Sequence, residues 1–235
     1  MLVLGIETST PAASVTIGSE QGIIASSLVT RGAGPGDFLL PAIEFLMEQS
    51  GLSYRNLSAI AVGLGPGLFT GMRVGVATAK TLAQALSVPI VGASSLDLLA
   101  FDVRYSDKLI CPVFDAKRKE VFFAFYRQVP GGITRESSYM VGSPERLMAE
   151  IQGSGEDFLL VGNGALLYRD PLERVDKVEF GSMAYAFPRA ASLVELALPR
   201  LFMEDYDRLF DIEPHYMRRS DAEINWERSM QRKNR

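Results

Sequence analysis

One cysteine, one histidine and one tryptophan occur in 235 residues, and these scarcities exclude several chemistries. A lone cysteine, Cys111, leaves no internal disulfide and no multi-thiolate zinc site. A lone histidine, His215, rules out a two-histidine metal site and the H-E-x-x-H metalloprotease signature. A Ser-His-Asp relay would have to use His215, in a charged segment near the C-terminus. Long apolar runs are missing too, since no stretch reaches the roughly 18 apolar residues of a membrane helix. Met1–Gly5 has no basic region, and Glu7 interrupts the apolar run. No membrane or targeting segment is read, and a reducing, cytoplasmic setting is expected. Excess positive charge is also lacking: 24 basic against 28 acidic side chains give −4, which argues against the whole chain acting as an electrostatic nucleic-acid binder. Residues 216–235 differ, with six basic against three acidic side chains. They read either as a solvated tail or as a contact for RNA or an acidic partner.

With 47% apolar and 22% charged residues, the chain has the composition of an ordinary globular protein. Its length suits one large domain or two small ones. Three short strands at 1–6, 12–18 and 22–30 form a meander. A helix over 37–50 follows, with Asp37 as its N-cap and Gly51 as its stop. A strand at 57–62, a helix at 70–86, a strand at 88–91 and a helix at 96–104 capped by Ser94/Ser95 complete the first hundred residues. Strands at 109–114 and 121–126 then restart the pattern as a hairpin. A strand at 138–141, a helix from Pro144 to 152, a strand at 158–161, a short helix from Ala165 and a long helix from Phe187-Pro188 to about 204 follow. The order of elements repeats. Two similar α/β lobes are expected, 1–106 and 107–235.

Three strand-to-turn junctions have residues of the kind that hold phosphate. Glu7-Thr8-Ser9-Thr10 offers hydroxyls and backbone N–H groups, either as an anion cradle or as a plain hairpin turn. Gly63–Arg73 is a glycine-rich turn entering a helix, a natural anion site, yet it matches neither G-x-x-x-x-G-K-[ST] nor G-x-G-x-x-G. Gly162-Asn-Gly164 is a weaker third. Helix 70–86 carries Gly71, Gly75, Ala79 and Ala83 every fourth residue. Each interior glycine costs roughly 0.5–1 kcal/mol relative to alanine, so close approach of another backbone is the expected compensation. Helix 37–50 spreads apolar side chains, Phe38, Leu39, Leu40, Ile43, Phe45, Leu46 and Met47, beyond the single stripe that covering a sheet requires. Packing against another molecule and packing within the chain both remain open.

The blocks I-E-T-S-T-P-A-A-S-V-T-I (6–17), G-L-G-P-G-L-F-T-G-M-R-V-G-V-A-T-A-K (63–80), D-A-K-R-K-E-V-F-F-A-F-Y (115–126) and P-H-Y-M-R (214–218) resemble the TsaB family, also called YeaZ. The similarity runs in order along essentially the whole chain. It implies an actin-like (ASKHA) fold of two RNase-H-like lobes with mixed sheets. It also implies vestigial phosphate loops at Glu7, Thr8 and Ser9 and at Asp115. TsaB is the paralogue of TsaD, which carries a metal and transfers threonylcarbamoyl to adenosine in tRNA. The resemblance therefore implies a non-catalytic scaffold for tRNA N6-threonylcarbamoyladenosine synthesis. Its partners would be TsaD and the ATPase TsaE, with tRNA reached only through the complex and a homodimer formed when TsaD is absent. No metal and no cofactor are expected, beyond ATP or ADP at the partner interface.

Pairing in this family runs through the first two helices, which implies an interface at Phe38, Ala42, Phe45, Gly71, Gly75, Ala79 and Ala83. Family members often have His-Ser-Glu ahead of the first helix, where this chain has Pro35-Gly36-Asp37. Two rival readings stand beside the scaffold. One is a phosphotransferase or ATPase acting alone, against which the Asp115 turn carries basic residues where glycines would let a backbone approach phosphate. The other is a metal-dependent glycoprotease, which a single histidine disfavours.

Overall fold

The computed structural model describes residues 1–30 and 34–218. Strands β1 (Val3–Glu7) and β2 (Ala13–Ser19) are buried along almost their whole length, because both faces of the sheet they form are covered. Strand β3 (Gly22–Val29) lies at the sheet edge and leaves Ile23, Ile24 and Leu28 exposed. Helix α1 (Pro35–Gln49), strand β4 (Ala59–Gly63), helix α2 (Phe69–Leu86), strand β5 (Ile90–Ala93) and helix α3 (Ser95–Asp102) complete the first lobe. Its sheet has the order β3-β2-β1-β4-β5. The meander β1–β3 pairs antiparallel, while β4 and β5 add parallel to β1.

The second lobe repeats this plan. Strands β6 (Leu109–Lys117), β7 (Glu120–Phe123), β8 (Tyr126–Val129), β9 (Gly132–Arg135) and β10 (Met140–Gly142) precede helix α4 (Pro144–Ser154) and strand β11 (Phe158–Val161). Short helices α5 (Asn163–Leu167) and α6 (Arg169–Leu172), strand β12 (Val178–Phe180) and helix α7 (Ala190–Phe202) follow. The main path is β10-β7-β6-β11-β12, antiparallel on the first side and parallel on the second. The two lobes thus share one topology, and the fold is the actin-like pair of RNase-H-like lobes with mixed sheets. The β8–β9 hairpin is an insertion that joins β6 at Ile110↔Tyr126.

Three expectations need correction. The apolar run V-F-F-A-F-Y is two strands, because β7 ends at Phe123 and β8 begins at Tyr126. Continuous burial on both sides of that break hides it from hydropathy. Helix α1 starts at Pro35, with Gly34 as N-cap and Asp37 inside the first turn. Proline fits there because its fixed φ is helical and its missing N–H has no intrahelical partner to lose.

The boundary at 106/107 also fails for the chain end. Helix α7 returns to the first lobe and packs on β1, β2, β4 and β5. Its Leu193, Val194, Ala197 and Leu201 share a core with Val3, Ala59, Ala61, Val91 and Leu98. The strap after it stays there. Asp207 N–H donates to Ile90 O at 3.0 Å, Gly92 N–H donates to Asp207 Oδ2 at 2.8 Å, and Ile212 enters the core beneath α1 and α2. An amphipathic stripe requires cover without naming the sheet that supplies it.

No helix among the described residues is long and apolar enough to cross a membrane. Most of the basic stretch 216–235 lies outside the described residues.

Candidate functional site

The turn 7–10 follows β1 at the lobe junction. Glu7 is 1% exposed. Its Oε1 accepts from Ser9 N–H at 2.6 Å and its Oε2 from Ser95 Oγ at 2.7 Å. Ser95 Oγ in turn accepts from Gly65 N–H at 3.1 Å. Burial holds the Glu7 carboxyl above the usual carboxylate range, and its hydrogen bonds from Ser9 and Ser95 act in the opposite direction. Thr8 and Ser9 are buried as well. Thr8 Oγ1 donates to Gly71 O at 2.8 Å, and Ser9 O accepts from Leu68 N–H at 2.6 Å. Glu7 and Thr8 are therefore engaged by the chain itself, whereas Ser9 Oγ is buried without a hydrogen-bond partner among the described residues.

The glycine-rich segment supplies the other half of that contact. A Cβ at Gly67 would lie 1.9 Å from Ser9 O, one at Gly71 2.0 Å from Thr8 O, and one at Gly75 2.2 Å from Thr8 Oγ1. These residues are small because α2 lies directly against the end of β1. Ala79 and Ala83 are likewise buried, within the core formed with α1 and β4. The stripe Gly71, Gly75, Ala79 and Ala83 is thus covered by its own chain and forms no outer surface, which corrects its assignment to a partner interface. Ala42, 8% exposed, points into the same core.

Of the helix residues singled out in the sequence, Phe38 is half-buried and Phe45 is 57% exposed. The outward face of α1 carries Leu40, Pro41, Glu44, Phe45 and Glu48. Leu40, 52% exposed, is one of the apolar residues that spread beyond a single stripe, and helical spacing cannot say which of two apolar stripes faces solvent.

In the second lobe, Asp115 lies at the β6–β7 turn. It accepts from Lys117 N–H at 2.8 Å and from Lys117 Nζ at 2.6 Å. Lys117, Arg118 and Lys119 all have positive φ (62°, 55° and 61°), a left-handed run that costs roughly 1–2 kcal/mol per non-glycine residue. A cleft of about 510 Å³ separates this turn from the first lobe and is lined by Thr10, Pro11, Phe69, Arg73, Lys117 and Arg218 among others. Asp115 also lines it, whereas Glu7, Thr8 and Ser9 do not.

The P-H-Y-M-R segment bridges the lobes beside this cleft. His215 N–H donates to Leu64 O at 2.7 Å, and Tyr216 stacks on Phe69 with centroids 5.0 Å apart. Arg73 Nε donates to Tyr216 Oη at 2.9 Å. Met217 packs against the second lobe, and Arg218 pairs with Glu120 at 3.1 Å. No spacing rule foretells this bridge. Tyr216 is 143 residues from Arg73 on α2, and Arg218 is 98 residues from Glu120.

The family model described as TsaD, tRNA N6-adenosine threonylcarbamoyltransferase, matches residues 37–226. The tRNA threonylcarbamoyladenosine biosynthesis protein TsaB of Bacillus subtilis is 30% identical over 231 residues, covering 96% of this chain and 98% of that protein. A Pseudomonas aeruginosa protein described as similar to peptidase YeaZ superposes with a TM-score of 0.78 at 26% identity, over 92% of this chain and 99% of the other. A Clostridium difficile activator of 2-hydroxyisocaproyl-CoA dehydratase, with ADPNP bound, reaches a TM-score of 0.51 at 10% identity, over 88% of this chain and 99% of the other. That last likeness is one of fold alone.

Proposed function

The chain belongs to the TsaB (YeaZ) family, and from that premise we propose that it is a non-catalytic partner subunit in tRNA N6-threonylcarbamoyladenosine synthesis. Its task is to hold a TsaD-type transferase in an active assembly that the TsaE ATPase joins. It pairs with itself when that transferase is absent. The setting is the cytoplasm, and tRNA is met only through the complex. The observation that carries the reading is the outward face of α1, where Leu40 and Phe45 stand more than half exposed beside acidic Glu44 and Glu48. Large apolar side chains grouped on one helix face mark association surfaces. Phe38, half-buried at the N-terminal end of α1, packs against the core of the first lobe.

The carboxylates of the two phosphate-loop positions support a role without catalysis. Glu7 is held by Ser9 and Ser95, and Asp115 by Lys117. ATP or ADP, where it takes part, belongs at the interface with the transferase. A protein acting alone as a phosphotransferase would need these carboxylates free to reach ligand.

The test is Phe45→Asp, with Leu40→Asp beside it, in binding to a purified TsaD-type partner by calorimetry. A loss of about 2 kcal/mol or more is expected for Phe45→Asp, the scale of a central anchor. Unchanged affinity in both variants would remove the α1 face from the interface. Turnover of ATP by the isolated chain would favour the stand-alone enzyme.

A further inference from the structure

The segment 214–218 ties the two lobes together, and its middle carries the one histidine of the chain. His215 N–H donates to Leu64 O of the first lobe at 2.7 Å, and Tyr216 beside it stacks on Phe69. Met217 and Arg218 then enter the second lobe, where Arg218 meets Glu120 at 3.1 Å. The His215 ring is half-buried at the wall of a cavity of about 810 Å³ between the end of β5, the β8–β9 hairpin and the strap that follows α7. Its Nδ1 is buried and has no hydrogen-bond partner among the described residues.

The charged groups that share this wall are committed elsewhere or stand in water. From α3, Asp97 accepts from Tyr126 Oη at 2.6 Å and from Tyr139 Oη at 2.9 Å, so a carboxylate of one lobe meets two phenols of the other. From β9, the Arg135 guanidinium lies 3.9 Å over the Tyr139 ring, and the His215 ring tilts against that same phenol with centroids 6.1 Å apart. From the end of α7, Arg200 donates to Asp207 at 3.2 Å, and Asp207 also accepts from Gly92 N–H at 2.8 Å. Asp211 and Glu213 on the strap are exposed, where solvent screens them.

A neutral imidazole leaves one unpaired nitrogen in this place, at modest cost. A protonated one carries an N–H on both nitrogens. The donor at Nδ1 would then be charged and buried with no acceptor, the most expensive way to leave a hydrogen bond unmade, and the new cation would share Tyr139 with Arg135. Burial holds the His215 pKa below its ordinary value; Asp97 opposes this and Arg135 adds to it.

We propose that segment 214–218 is a pH-sensitive latch between the lobes, closed while His215 is neutral and released when the ring takes up a proton. A released ring lies in water and titrates in the ordinary range. Below that range the released state binds a proton that the closed state refuses, so falling pH favours release. Release takes Tyr216 from Phe69 and Arg218 from Glu120, and so removes one wall of the cleft that Phe69, Arg73 and Arg218 line. The latch is independent of the α1 face and does not rest on the assembly role.

Two signals of the uniformly ¹⁵N-labelled, untagged full chain test it by NMR. The imidazole nitrogens report the protonation of His215 without overlap, and the His215 backbone amide reports the bond to Leu64. Hydrogen exchange of that amide, corrected for intrinsic rate, is followed between about pH 7.5 and about pH 5, with the Val62 amide of β4 as the measure of global unfolding. Protection at His215 should fall about tenfold for each pKa unit by which closure lowers the ring, with Val62 unchanged. His215→Gln cannot take the proton and should hold its protection at both ends of the range. Arg135→Gln removes the neighbouring cation and should raise the ring's pKa and shrink the loss. The proposal falls if the ring titrates at its ordinary value, if its amide's protection ignores that titration, or if His215→Gln keeps the parent's pH dependence. Should His215→Gln fail to latch even at about pH 7.5, Arg135→Gln decides, and an undiminished loss in it overturns the proposal.

Discussion

Glu7 is a carboxyl group held in a shell of hydroxyl and backbone donors and closed off from solvent. Burial raises its pKa above the unfolded value, so the stability it contributes is present below the unfolded pKa and is lost as pH rises through the folded one. Glu7→Gln keeps the shape and removes the titration. Urea denaturation at about pH 4.5 and about pH 7.5 should show the variant gaining on the parent as pH rises. A constant difference between the two would mean that the carboxyl titrates normally. Lys119 shows a different local cost, since its φ of 61° is the third left-handed value in a row. Lys119→Gly should stabilise by about 0.5–1 kcal/mol, because relief of the left-handed penalty exceeds the added freedom of the unfolded glycine. Thermal melting should therefore rise by a few degrees.

At the scale of elements, the α2 stripe shows how far spacing can lead. Gly71 and Gly75 pointed to close approach of a backbone, and a backbone is there. It is the end of β1, in the same chain. Helical periodicity specifies a smooth face, and the identity of what meets it depends on chain path. Gly75→Ala should cost roughly 1–3 kcal/mol through overpacking, since its Cβ would meet Thr8 Oγ1. Thr8→Ala removes that atom along with its bond to Gly71. The double variant should consequently lose less stability than the two single losses added, a coupling readable from a denaturation cycle. Strict additivity would mean that the helix shifts away rather than colliding. Helix α1 is the opposite case. Its second apolar stripe leaves Leu40 and Phe45 more than half exposed among the described residues, and the partner prediction belongs there.

The whole molecule is two topological copies joined by more than their linker. Helix α7 closes the first lobe's sheet from the far end of the chain. The strap after it runs on to the second lobe through Met217 and Arg218. A fragment of residues 1–106 therefore lacks one cover of its sheet, with Val3, Ala61, Val91 and Leu98 open to water. Such a fragment should show poor amide dispersion and bind hydrophobic dye. Fusing residues 187–218 to it through a flexible linker should restore a cooperative transition. A well-dispersed spectrum from 1–106 alone would mean that the first lobe is self-sufficient.

Much of this was legible in the residues themselves. The order of strands and helices follows from local periodicity, turn residues and caps such as Ser94 and Ser143; from that order came the two-lobe fold. The near absence of histidine and cysteine follows from composition, and with it the exclusion of thiolate and histidine metal sites. What only the tertiary structure decided is which surfaces meet. Gly71 and Gly75 of α2 face Thr8, Glu7 is sealed beneath Ser95, α7 belongs to a lobe whose other elements end well before it in the chain, and Asp97 meets two tyrosines of the other lobe. The physical reason is that hydrogen-bonded turns and apolar stripes are set by neighbours a few positions away. Burial and pairing between distant segments are set by the free energy of the assembled chain, which no short window of sequence contains.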